Sequence, residues 1–101
     1  MNYDVNISKE AKEDLREIYN YIALELISPK TALNQLDRIK KAILSLDNMP
    51  TRCRIYDEEI SPIIRFLPIT NYIIFYIVKE ESRVVEIARV LYGGRNFSNI
   101  L

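Results

Sequence analysis

The chain predicts an α+β domain in the order β-α-α-β-β-β, a helical hairpin packed on a small antiparallel sheet, and three observations carry that prediction. Two successive segments repeat apolar residues at steps of three and four, the spacing of helices with one buried face. A dense β-branched and aromatic run, Ile63 to Val78, is divided by the polar pair Thr70-Asn71 and reads as two antiparallel strands. Val84 to Tyr92 gives another strand of the same character, ended by Gly93-Gly94. All 101 residues (1–101) belong to one domain, and at 49% hydrophobic it can bury a core without a metal or a disulfide.

Taken in order, Tyr3, Val5 and Ile7 alternate with polar residues as in a short, half-wet edge strand. Ser8 stands where a helix N-cap belongs, and Glu10, Glu13 and Asp14 follow where the helix dipole favours negative charge. Ala11, Leu15, Ile18, Ile22 and Leu26 then mark the buried face of the first helix. Ser28-Pro29 opens a second helix, because proline is tolerated at the first helical position. Ala32, Leu36, Ile39, Ile43 and Leu46 form its apolar stripe, and Asn48-Met49-Pro50 ends it. The short link makes the two helices a hairpin. Thr51 to Ser61 is polar and irregular, a loop. Ile63 to Val78 is apolar at successive positions, so it requires cover on both faces or a central place in the sheet. In the last strand Val85, Ile87, Arg89 and Leu91 are expected on one face and Glu86, Ala88, Val90 and Tyr92 on the other.

Fourteen basic and fourteen acidic residues balance, so no overall field draws the molecule to nucleic acid or an anionic membrane. No apolar run approaches the length of a membrane span, and the first residues lack the pattern of a signal peptide, which makes the cytoplasm the expected location. The lone Cys53 cannot form an internal disulfide. With no histidine, the usual hydrolytic triads and ordinary zinc sites are excluded, and the only paired glycines make no phosphate-cradling motif. No cofactor and no metal are expected.

The candidate functional residues are arginines with a tyrosine: Arg65 in the first hairpin strand, Arg89 and Tyr92 in the last strand, and Arg95 just beyond it. Arginine presents a planar, permanently charged fork suited to phosphates and carboxylates, so these residues form a basic strip if the strands bring them together. The alternative is that Arg65 and Arg89 pair with internal acids such as Glu86 and tie the sheet together. Phe97, Ile100 and Leu101 are apolar residues able to dock on the sheet or on a partner.

Several segments, in order, resemble the RelE/ParE superfamily of type II toxin–antitoxin toxins. They are Val5-Asn6-Ile7-Ser8, the helix around Asp14-Leu15 and Ile18 to Ile22, Leu46 to Pro50, the strands holding Arg65 to Ile69 and Asn71 to Tyr76, and the end Ala88 to Arg95. The resemblance spans nearly the whole chain. It implies a growth-inhibiting toxin associated with plasmid stabilisation, held inactive in a hetero-oligomer by a cognate antitoxin that is acidic and partly disordered when free. RelE-like members cleave messenger RNA on the ribosome; ParE-like members inhibit DNA gyrase by binding. Cleavage needs a group that moves a proton, and here Arg52 and Arg54 stand where RelE-like toxins carry lysines, Ile73 where they carry arginine, and no tyrosine follows Arg95. These departures favour gyrase inhibition, with ribosome-dependent cleavage or a weakened toxin of unassigned target as alternatives. The resemblance assigns target or antitoxin binding to Arg65, Arg89, Tyr92, Arg95 and Phe97, and for a ribonuclease it makes the first four the catalytic candidates. Replacing Arg89 and Arg95 together by alanine is expected to reduce toxicity without unfolding the domain.

Overall fold

A computed structural model of the chain describes residues 2–94. Strand β1 (Asp4–Ile7) leads into helix α1 (Lys9–Asn20), which continues as a π-helical turn (Tyr21–Glu25) before helix α2 (Pro29–Leu44). Two short 3-10 turns (Ser45–Asp47 and Pro50–Arg52) precede strands β2 (Arg54–Ile55), β3 (Arg65–Ile69), β4 (Tyr72–Lys79) and β5 (Val84–Tyr92). The five strands form one sheet in the order β1-β5-β4-β3-β2.

The α+β architecture is the expected one, and the sheet is mixed where the sequence suggested a wholly antiparallel one. β1 lies beside β5 and parallel to it, Val5 opposite Val85 and Ile7 opposite Ile87. Nothing short joins these strands, so no hairpin fixes their direction. β2 also departs from expectation. It falls inside the stretch read as a loop, where Ile55 pairs with Arg65 and Arg54 with Phe66.

Ser8 caps α1 as its position predicted. Its Oγ accepts the Ala11 amide at 3.0 Å and donates to the Ala88 carbonyl at 2.9 Å, so one hydroxyl starts the helix and fastens it to β5. Ser28 precedes α2, with Pro29 in the first turn, but its hydroxyl bonds the Thr31 hydroxyl rather than a helix amide. Between the helices the π turn bonds the Leu26 amide to the Tyr21 carbonyl, and Ile27 adopts a left-handed φ of 49° that closes the turn. The wider turn rotates the chain. Ile22 and Ala23 are buried next to each other, while Leu26, expected on the buried stripe, is 58% exposed.

The helices cover one face of the sheet. Leu15, Ile18 and Ile22 meet Ile39 and Ile43, and all pack on Ile74, Tyr76, Val85, Ile87 and Val90. The other face carries a smaller cluster of Ile64, Phe75 and Leu91, against which Tyr56 and Ile60 fold back. Tyr56 meets Phe75 edge to face, the ring centroids 5.5 Å apart. β4 is therefore central in the sheet and apolar on both sides, which is what its continuous run of apolar residues required.

Phe75 stands opposite Arg89 but Tyr76 stands opposite Ile87, so Ala88 is an extra residue in β5. This bulge breaks the expected alternation. Val85 and Ile87 share the helix-side core with Val90, whereas Leu91, expected beside them, joins the opposite cluster.

Candidate functional site

β1 pairs with β5 only as far as Ile87, so among the described residues the later part of β5 has an outer edge with no strand beside it. α1 meets that edge through Asp14, which lies three residues after Ala11 and four before Ile18 on the helix's buried face. Arg89 donates from Nε and Nη2 to the two Asp14 oxygens, at 2.7 and 2.8 Å, and the Val90 amide donates to Asp14 at 3.0 Å. The Asp14 side chain is 8% exposed and that of Arg89 27%. The planar fork satisfies the carboxylate and the carboxylate satisfies a strand amide. The hydrogen bond to Asp14 raises the Arg89 pKa above its ordinary value against the opposing effect of burial, so the cation is permanent.

The partner of Arg89 is thus Asp14 and not Glu86, which instead pairs with Lys79 at 3.4 Å. Asp14 escaped the sequence reading because it was grouped with the other early acids of the helix. Its place at apolar spacing, between Ala11 and Ile18, was the available signal.

Arg65 is half-buried, and its Nη1 donates to the carbonyls of Cys53 at 2.7 Å and Thr51 at 3.2 Å. It pins the segment leading into β2. Arg52 likewise serves the backbone, with Nη1 donating to the Asn48 carbonyl at 2.6 Å just past the end of α2. Tyr76, opposite both Arg65 and Ile87, is fully buried and donates its hydroxyl to the Pro50 carbonyl at 2.6 Å. Burial, then the Cys53 thiol beside it, pushes this phenol well above its ordinary pKa.

Tyr92 is 53% exposed and stands opposite Tyr72, which it meets edge to face at 6.0 Å. A Cβ on Gly94 would lie 2.6 Å from the Tyr92 ring, so that ring rests where only glycine leaves room. Arg65 and Tyr92 are not neighbours. Their cross-strand partners on β4, Tyr76 and Tyr72, are four residues apart, about 13 Å at ~3.3 Å per residue. Arg95 and Phe97 lie outside the described residues.

Beside Tyr92, between the helical hairpin and this end of the sheet, runs a groove of about 610 Å³. Ile18, Ile22 and Leu26 contribute apolar wall, and Tyr21, Tyr72 and Tyr92 contribute rings. Burial raises the Tyr72 pKa, with the neighbouring phenols Tyr21 and Tyr92 adding to the effect, so Tyr72 stays a neutral donor and acceptor near pH 7. No helix among the described residues is long and apolar enough to cross a membrane.

A helical hairpin on one face of a small mixed sheet, with an open groove at the sheet's end, defines the class of small RelE/ParE-like toxin folds. Residues 5–97 match the model of the family described as ParE toxin of the type II toxin–antitoxin system parDE, and the chain belongs to that family. The fold is shared with solved structures of low identity. A chain of the chromosomal ParDE system from P. aeruginosa superposes with a TM-score of 0.75 at 21% identity, over 89% of this chain and 95% of that one. A chain of the toxin–antitoxin complex RelBE2 from Mycobacterium tuberculosis gives 0.65 at 19%, over 91% and 99%. One from the archaeal RelE–RelB complex of Pyrococcus horikoshii OT3 gives 0.65 at 19%, over 95% and 100%. A search of curated protein sequences finds no match.

Proposed function

We propose that this toxin acts in the cytoplasm by binding DNA gyrase and inhibiting it, and that a cognate antitoxin encoded beside it covers the toxin until it is needed. The observation that carries the choice of target is the engagement of the sheet arginines. Cleaving RNA at a ribose 2′-hydroxyl requires a group that takes a proton as well as cations that face the phosphate. The chain has no histidine, Arg65 is committed to backbone carbonyls, and Arg89 is committed to a buried carboxylate. Such residues are suited to holding a binding surface in shape. In this reading Tyr92, Arg95 and Phe97 contact the target, with Arg65 and Arg89 securing the strands of the sheet.

Purified protein added to gyrase with relaxed plasmid should block supercoiling and leave messages intact in a reconstituted translation system. Cleaved messages with defined ends, and unimpaired supercoiling, would replace this reading with the ribosomal one. Co-expression of the neighbouring short acidic reading frame should restore growth.

A further inference from the structure

The groove beside Tyr92 has three features that together describe what fits it. The first is aromatic: Tyr21, Tyr72 and Tyr92 line it, and Tyr21 and Tyr92 are 55% and 53% exposed, leaving ring surface open to a ligand. The second is charge. Asp14 and Glu17 are the charged residues among the described lining, and both are acidic. Asp14 is saturated by Arg89 and the Val90 amide, so the carboxylate left open is that of the exposed Glu17. Glu10 lies close by as well, so three carboxylates surround the single Arg89 guanidinium. The third is the apolar wall of Ile18, Ile22 and the outward-turned Leu26.

Tyrosine faces attract a cation through the ring quadrupole, and a carboxylate at the rim adds charge-assisted hydrogen bonding. A carboxylate entering the same place meets Glu17 and no cation among the described lining residues. Lysine and arginine also carry alkyl stems that cover apolar surface while the charged head stays at the rim. We propose that the groove docks an amphipathic segment of a partner protein that anchors through one lysine or arginine, the stem against Ile22 and Leu26 and the cation between the tyrosine rings and Glu17. This rests on the reading that an antitoxin covers the toxin, and it adds that the residue entering the groove is basic even where the rest of the antitoxin is acidic.

The test selects random twelve-residue peptides, displayed on phage, on the full-length protein. Peptides that lose binding when Tyr72 is changed to alanine should carry a lysine or arginine flanked by apolar residues at helical spacing. Replacing that arginine by citrulline, or that lysine by norleucine, should weaken binding about tenfold, and Glu17→Lys, at an exposed position, should abolish the difference while leaving the circular dichroism spectrum unchanged. Equal binding of charged and neutral peptides, selection of acidic peptides, or the absence of any Tyr72-dependent peptide would overturn the proposal. So would peptides that bind only after residues 95–101 are removed, which would give the groove to the chain's own end, or sedimentation showing that two copies bury it. Growth arrest and supercoiling are read separately, so loss of toxicity with peptide binding intact rejects the toxin reading alone.

Discussion

Asp14 receives two hydrogen bonds from Arg89 and one from a strand amide, and removing any of these donors strands a carboxylate where water barely reaches it. Breaking a fully buried pair by deleting one partner costs about 3 to 5 kcal/mol, and because Arg89 keeps about a quarter of its exposure, Arg89→Ala should cost about 2 to 3 kcal/mol. Urea denaturation measures it, and an unchanged midpoint would deny the pair its structural role. The expectation that alanine at both Arg89 and Arg95 lowers toxicity in an intact domain changes accordingly. Loss of toxicity on replacing Arg89 reports a weakened fold first, and Arg95→Ala alone is the cleaner probe of the binding surface. At this scale the sequence revealed which residues carry charge but not whom they meet. Arg89 was legible as an arginine among apolar neighbours; its partner lies 75 residues away, and only the packing of α1 on β5 selects it.

The connection between α1 and α2 shows what periodicity cannot see. A π turn adds a residue without altering composition, so an apolar stripe drawn at steps of three and four runs straight through it and misplaces Leu26. The bulge at Ala88 does the same to β5, sending Leu91 to the face opposite Val85. Where an element is regular, reading was reliable: Ala11, Leu15, Ile18, Ala32, Ile39 and Ile43 are buried and Leu36 is half-buried, and Leu46 is buried in the 3-10 turn that follows α2. The π turn also ends in a conformation its sequence disfavours, since Ile27, β-branched and 83% exposed, holds φ at 49°. Left-handed backbone costs an ordinary residue roughly 1 to 2 kcal/mol, and asparagine, whose side chain bonds locally there, avoids much of that cost. Ile27→Asn should therefore raise stability by about 1 kcal/mol, visible as a higher urea midpoint with the same slope. A lower midpoint would mean that the isoleucine side chain stabilises the turn by more than its left-handed backbone costs.

Across the whole molecule, the order of elements apart from the two-residue β2 was legible and their closure was not. Hydrophobic pattern and turn residues gave the strands from Ile63 onward, because local chemistry decides a hairpin; the parallel pairing of β1 with β5 joins residues about eighty positions apart and leaves no local mark. The opposite side of the sheet has a different problem. β2 covers only the first two residues of β3, and the exposed Pro68 lies farther along that strand. The Ile64 carbonyl points outward to the Tyr56 amide, so Pro68, four residues on, also turns its backbone outward, where it has no N–H to offer a second chain. Pro68→Thr should restore that donor and cause concentration-dependent self-association in sedimentation velocity; a variant that stays monomeric at high concentration would show that the edge is guarded by something else.

The seam between β1 and β5 also sets when a copy of this protein becomes complete. Emerging from the ribosome, the first strand has no partner strand in the sheet until residues 84–87 have been added. A message broken or a nascent chain abandoned before that point leaves two helices and an open sheet, so the fold cannot close before β5 has been made.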